Sequence, residues 1–87
     1  MPPAEVSETR RALDELDHAL LDLVARRRAL VGAFFVKKRA LGLPLVDPSR
    51  EAELLADRRA YAERLGVPAE LAEVIFRAIL EDSRSRS

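Results

Sequence analysis

Arg10, Leu13, Asp17, Leu20, Val24, Arg27, Val31, Phe34, Lys38 and Leu41 recur at alternating steps of three and four along the chain. That spacing marks one face of an α-helix. No proline interrupts the stretch before Gly42, and Gly32 is its only glycine. The pattern predicts one helix from about Val6 to Leu41, roughly 35 residues or about 53 Å long. Such a helix is longer than a domain of 87 residues is wide. It cannot bury its whole stripe against its own chain. Its middle calls for a partner, most simply the same helix of a second copy. Gly32 weakens the helix and reads as a point of close backbone approach.

Six of the ten stripe positions are apolar, three are the cations Arg10, Arg27 and Lys38, and one is Asp17. A charge on a buried face is costly unless something pairs with it. Taken singly, each cation has a bland reading. Arg27 can snorkel or pair with Asp17 of a partner, Lys38 suits the C-terminal end of a helix dipole, and Arg10 can be exposed. Taken together they suggest more. Arg10 and Arg27 stand about 25 Å apart along one helix, too far to share a small ligand, whereas Arg27 and Lys38 are about 16 Å apart. If two copies of the helix pair antiparallel near residue 21, Arg10 of one chain lands between Arg27 and Lys38 of the other. The dimer that buries the stripe then gathers three cations at each of two places.

Beyond the long helix, Gly42-Leu43-Pro44 is a helix stop. Asp47-Pro48 reads as an N-cap followed by proline at the first helical position, opening a second helix from Pro48 to about Leu65 with Leu54, Leu55, Tyr61, Ala62 and Leu65 facing inward. Gly66 closes it. Val67-Pro68 opens a third helix that reaches about Ser83 and turns Leu71, Val74, Ile75, Ala78, Ile79 and Leu80 inward. The last residues, Arg84-Ser85-Arg86-Ser87, read as a polar tail. The expected fold class is all-α: one long and two medium helices in a single domain over residues 1–87, forming an intertwined helical homodimer.

Composition removes several function classes. Fifteen acids balance fifteen Lys and Arg, for a formal net charge of zero, which argues against a nucleic-acid binder that relies on a broad positive field. No cysteine is present, so disulfides and thiolate-held metals are excluded, and a cytoplasmic location is expected. No apolar run approaches the roughly 20 residues of a membrane span, and no basic-then-apolar leader opens the chain. His18 is the only histidine, lies off the stripe, and has no companion for a metal site. No glycine-rich phosphate loop and no Ser/His/Asp set is evident. In the cluster Asp47-Pro48-Ser49-Arg50-Glu51, capping explains Asp47 and partly Glu51, but Arg50 is a cation where the helix dipole disfavours one.

These elements in this order resemble a known family. The carriers are an arginine near the start of a long helix, Leu13-Asp14-Glu15-Leu16-Asp17, Leu20 through Arg27, Lys38, Asp47-Pro48-x-Arg50-Glu51, and Ile79-Leu80-Glu81-Asp82-Ser83. The set is similar to the all-α chorismate mutases over nearly the whole chain. Arg50 through Arg59 and Ala62 through Pro68 look most like the mutase domain of bifunctional chorismate mutase–prephenate dehydrogenases. The resemblance implies a homodimer with two sites, each completed by Arg10 of the partner chain. It implies that Arg10 and Arg27 grip the two carboxylates of chorismate, while Lys38 donates to the ether oxygen and a carboxylate. Asp47 and Glu51 would line the pocket near the ring hydroxyl, with Glu51 accepting from it. Arg50 would support that end, and Ser83 would sit at a carboxylate. The implied reaction, chorismate to prephenate, is an isomerisation that needs no metal and no cofactor.

One position departs from the pattern. Ser87 stands where the family commonly has a glutamine or glutamate at the ether oxygen. A water, Arg86 bending back, or further chain beyond Ser87 would have to supply that contact. The alternatives on the same fold are a mutase for 4-amino-4-deoxychorismate and an isochorismate-pyruvate lyase. A non-catalytic helical dimerisation module is the alternative from a different class.

Overall fold

A computed structural model describes residues 2–87. Among the described residues there are three α-helices: α1 (Ala4–Ala40), α2 (Pro48–Arg64) and α3 (Ala69–Ser85). The three-helix, all-α order read from the sequence is the order found. The ends differ slightly. α1 begins at Ala4 rather than Val6, α2 yields to a cap at Leu65, and α3 starts after Pro68 rather than with it. α3 also runs past Ser83 to Ser85, so Arg84 belongs to its last turn and not to a tail. Among the described residues, no helix is long and apolar enough to cross a membrane.

The chain divides into two compact units, Met1–Val31 and Gly32–Ser87, and the boundary falls within α1. In the first unit the Pro3 carbonyl accepts the backbone N–H groups of Val6 and Ser7 at 3.0 and 3.1 Å. Glu5 places an acid in the first turn, where the helix dipole favours it. Leu13, Leu16, Leu20, Leu21 and Leu23 are each more than half exposed, as is expected of a helix whose apolar face awaits a partner. Val24, Arg27 and Val31 of the stripe are half-buried, and Asp17 is exposed.

The second unit is built on the antiparallel pair α2 and α3. Both preceding helices stop in the same way. At the end of α1, Leu43 N–H donates to the Lys38 carbonyl at 2.8 Å and Gly42 N–H to that of Arg39 at 3.1 Å. At the end of α2, Val67 N–H donates to the Ala62 carbonyl at 2.9 Å and Gly66 N–H to that of Glu63 at 3.1 Å. This double closure needs a residue in the left-handed region, and Gly42 and Gly66 supply it at φ 68° and 73°.

The inside of this unit is only in part the expected one, with Leu54, Ala62 and Leu80 buried as the sequence predicts. Leu54, Ala62, Ala69, Ala72 and Leu80 are buried, together with Phe35 of α1. Phe35 lies one position off the expected stripe, and Phe34 on the stripe is 53% exposed. Leu65, Leu71, Val74 and Ile75, all expected inside, are largely exposed, and Ala78 is exposed with them. The physical reason is helix phase. Leu71, Val74, Ile75 and Ala78 fall at i, i+3, i+4 and i+7, one face of α3, while Ala69, Ala72 and Leu80 on another face are the ones buried. Gly32 also differs from expectation. A Cβ there would meet the end of the Arg86 side chain at 3.3 Å, not a backbone.

Candidate active site

The start of α2 is set by Asp47, which has extended dihedrals (φ −128°, ψ 100°) and caps the helix with its side chain. Its Oδ1 accepts the backbone N–H of Arg50 at 3.2 Å, and its carbonyl accepts that of Glu51 at 3.0 Å. Pro48, at the first helical position, has no N–H to leave unpaired. Arg50 points outward, where its guanidinium lies 3.8 Å from Glu53 and both side chains are well exposed. Glu51 turns the other way and is only 20% exposed.

Lys38 is held from two sides. Its ammonium donates to the Leu45 carbonyl at 3.4 Å and lies 4.5 Å from the centre of the Phe34 ring, one turn earlier on α1. Lys38 and Asp47 are the charged members of a cavity of about 480 Å³ completed by Leu43, Pro44, Val46 and Pro48. That volume suits a small metabolite. A groove of similar volume between α2 and α3, walled by Tyr61, Leu65, Val67 and Phe76 among others, contains none of the expected site residues.

The remaining expected residues fall at other places. Glu51 accepts a hydrogen bond from Nη1 of Arg84. The half-buried Ser83 donates its hydroxyl to the Ile79 carbonyl one turn back on α3 at 3.1 Å. Ser87 turns its hydroxyl onto the Arg84 carbonyl at 2.6 Å, and its own carbonyl accepts Nη2 of Arg39 at 3.2 Å. Arg10 and Arg27 belong to the first unit, Arg10 exposed and Arg27 half-buried. Within the second unit, then, Lys38 and Asp47 share a cavity. Arg50 points to solvent, and the Ser87 side chain is engaged with its own helix end.

Arg84 and the Leu45 carbonyl were not among the expected residues. A signal for Arg84 exists in the register of the helix pair. Arg59 on α2 meets Glu73 on α3 at 3.0 Å. Moving toward the start of α2 moves equally toward the end of α3, which brings Glu51 to the turn that carries Arg84. No local pattern identifies a backbone carbonyl such as that of Leu45.

The Glu73 carboxyl is displaced from its ordinary value. The hydrogen bond from Arg77 to Glu73, 3.1 Å long, is the main reason the Glu73 carboxyl sits below its usual range. The charges of Arg77 and Arg59 add to it, against an opposing push from partial desolvation. This cluster straddles α2 and α3 away from the Lys38 cavity and reads as a clasp.

Residues 9–87 match the chorismate mutase type II family. The chain is 45% identical over 80 residues to the T-protein of Enterobacter agglomerans, covering 92% of this chain and 21% of that protein. It is 36% identical over 78 residues to the T-protein of Haemophilus influenzae, again covering 21% of that protein. A chorismate mutase of Methanocaldococcus jannaschii is 28% identical over 81 residues, 93% of this chain and 82% of that enzyme. The chain thus spans about a fifth of the length of the two T-proteins it matches. No solved structure matches it. With a match that takes in both ends of α2, all of α3 and nearly all of α1, the chain belongs to the chorismate mutase type II family.

Proposed function

We propose that the chain rearranges chorismate to prephenate, on the route to phenylalanine and tyrosine, as a cytoplasmic homodimer. The observation that carries this reading is Lys38, an ammonium held in the lining of a metabolite-sized cavity beside the capped start of α2, in a chain of this family. Exposed apolar stripes support the dimer: Leu13, Leu16, Leu20 and Leu23 on α1, and Leu71, Val74 and Ile75 on α3. Contiguous apolar surface of this kind calls for a covering partner.

The reaction is unimolecular. One carbon–oxygen bond breaks as one carbon–carbon bond forms, and nothing is added or lost. Catalysis then has two parts. The substrate dianion must be held in a compact conformer, a positioning effect. Guanidinium forks from Arg27 and the partner's Arg10 serve this, since each can pair bidentately with a carboxylate. The ether oxygen also gains electron density as its bond breaks, and a positive donor aimed there stabilises the transition state more than the ground state. Lys38 is that donor. Glu51 accepts from the ring hydroxyl, Asp47 closes the pocket beside it, Arg50 supports this end, and Ser83 meets a carboxylate. Ser87 stands near the ether oxygen in the family pattern. Its hydroxyl is already engaged by the Arg84 carbonyl, which leaves Lys38 the larger share of the charge stabilisation.

The test is to offer chorismate, isochorismate and 4-amino-4-deoxychorismate separately to the purified chain. Prephenate appearing from chorismate, mole for mole and without added cofactor, is the expected result. Pyruvate release from isochorismate alone, or turnover of the amino analogue alone, would overturn the assignment. Failure of all three substrates would favour a dimerisation module.

A further inference from the structure

An ion pair joins the first turn of α2 to the last turn of α3. Arg84 Nη1 donates to Oε1 of Glu51, 33 positions away in sequence. The glutamate is the enclosed member, with its side chain 20% exposed against 46% for the arginine. The guanidinium takes up one carboxylate oxygen, and among the described residues Oε2 has no hydrogen-bond partner, so it can accept from a ligand.

This pairing changes what Glu51 can recognise. A hydroxyl donor carries no net charge, so a cation behind the carboxylate weakens its hydrogen bond to Oε2 less than it weakens an ion pair there. A protonated amine would gain strongly from a bare carboxylate, but Arg84 compensates that negative charge and repels a second cation at contact range. We propose that Arg84 is a positioning residue that, acting through Glu51, makes the site prefer a ring bearing a hydroxyl over one bearing an amine. The proposal rests on the reading that Glu51 meets the ring substituent of a chorismate-type substrate.

The experiment compares kcat/KM for chorismate and for 4-amino-4-deoxychorismate in the wild-type chain, Arg84→Met and Arg84→Lys, with helicity and thermal midpoint recorded for each. The ratio favouring chorismate should fall by at least about tenfold in Arg84→Met, a modest effect for one unit charge at contact distance. Arg84→Lys should keep most of the preference. A merely structural role would lower both activities together and leave the ratio unmoved, and an unmoved ratio in folded Arg84→Met overturns the proposal. If Arg84→Met does not fold, Arg84→Gln replaces it. That variant keeps a donor for Glu51 without the charge, and the same fall in ratio is required of it. A wild-type chain that leaves chorismate untouched would instead remove the functional reading itself, before any Arg84 variant is compared.

Discussion

The ammonium of Lys38 donates to the Leu45 carbonyl across the turn that separates α1 from α2. Its methylene stem leaves α1 one turn beyond Phe34, whose ring lies under the charge at 4.5 Å. A flexible side chain is thereby confined before any ligand arrives, and less ordering remains to be done on binding. The same turn delivers Asp47 to the start of α2. A cation and a helix start are placed together by a short loop that Gly42 makes possible.

Lys38→Ala removes the charge proposed to stabilise the breaking ether bond. Loss of one such donor should lower kcat by about 10²–10³. The fold should persist, since the lost ring contact is worth only about 0.5–1 kcal/mol. Steady-state kinetics beside a helicity measurement checks both halves. A variant with near-normal kcat would exclude Lys38 from the chemistry.

Asp47 combines two roles that substitution can separate. Asp47→Ala loses the cap accepted from Arg50 N–H and should destabilise the chain by about 1 kcal/mol. In a chain of this size that lowers the thermal midpoint by roughly 4–8 °C. Asp47→Asn keeps an equally good cap and should melt close to wild type. Reduced turnover in the Asn variant then reports on the carboxylate's part in the pocket alone.

The Glu73 clasp predicts a pH dependence with a definite sign. Because its native carboxyl is displaced downward, the folded chain binds fewer protons than the unfolded chain around that range, and stability rises with pH there. The contribution is complete above the unfolded glutamate value of about 4.3 and is lost as pH falls through the lower native value. Urea midpoints of the wild type should therefore exceed those of Glu73→Gln near neutral pH, with the gap closing in acid. The gap should also narrow in high salt, because Arg59, Arg77 and Glu73 are all reached by solvent. A gap that stays constant with pH would mean that the clasp contributes by packing and not by charge.

Much of the fold was legible because it is written locally. Glycine at Gly42 and Gly66 and the Asp47-Pro48 pair are signals within a few residues, and each does in the structure what its chemistry requires. The inside of the second unit was less legible. The large residues Leu71, Val74 and Ile75 look like core on hydrophobicity alone, yet they are exposed while Ala69 and Ala72, which no reading put inside, are buried beside the expected Leu54, Ala62 and Leu80. Which side of an amphipathic helix faces its own chain depends on how closely two helices pack, and that is not encoded in one helix. Part of the site was hidden for a similar reason. Spacing puts Lys38 on the stripe and capping explains Asp47, but their proposed pocket roles come from the family resemblance, whereas the Arg84–Glu51 pair emerges only once α2 and α3 have a register.

The shared-site account stands or falls on mixing two inactive proteins. Arg10→Ala and Arg27→Ala, each purified and each without turnover, are combined in equal amounts, unfolded together and refolded, and assayed with chorismate. Random pairing makes about half of the dimers mixed, and each mixed dimer holds one site with both arginines intact. Activity should return to about a quarter of the wild-type level, since the second site of a mixed dimer lacks both. Mixed dimers with no activity would contradict a site completed by Arg10 of the partner chain.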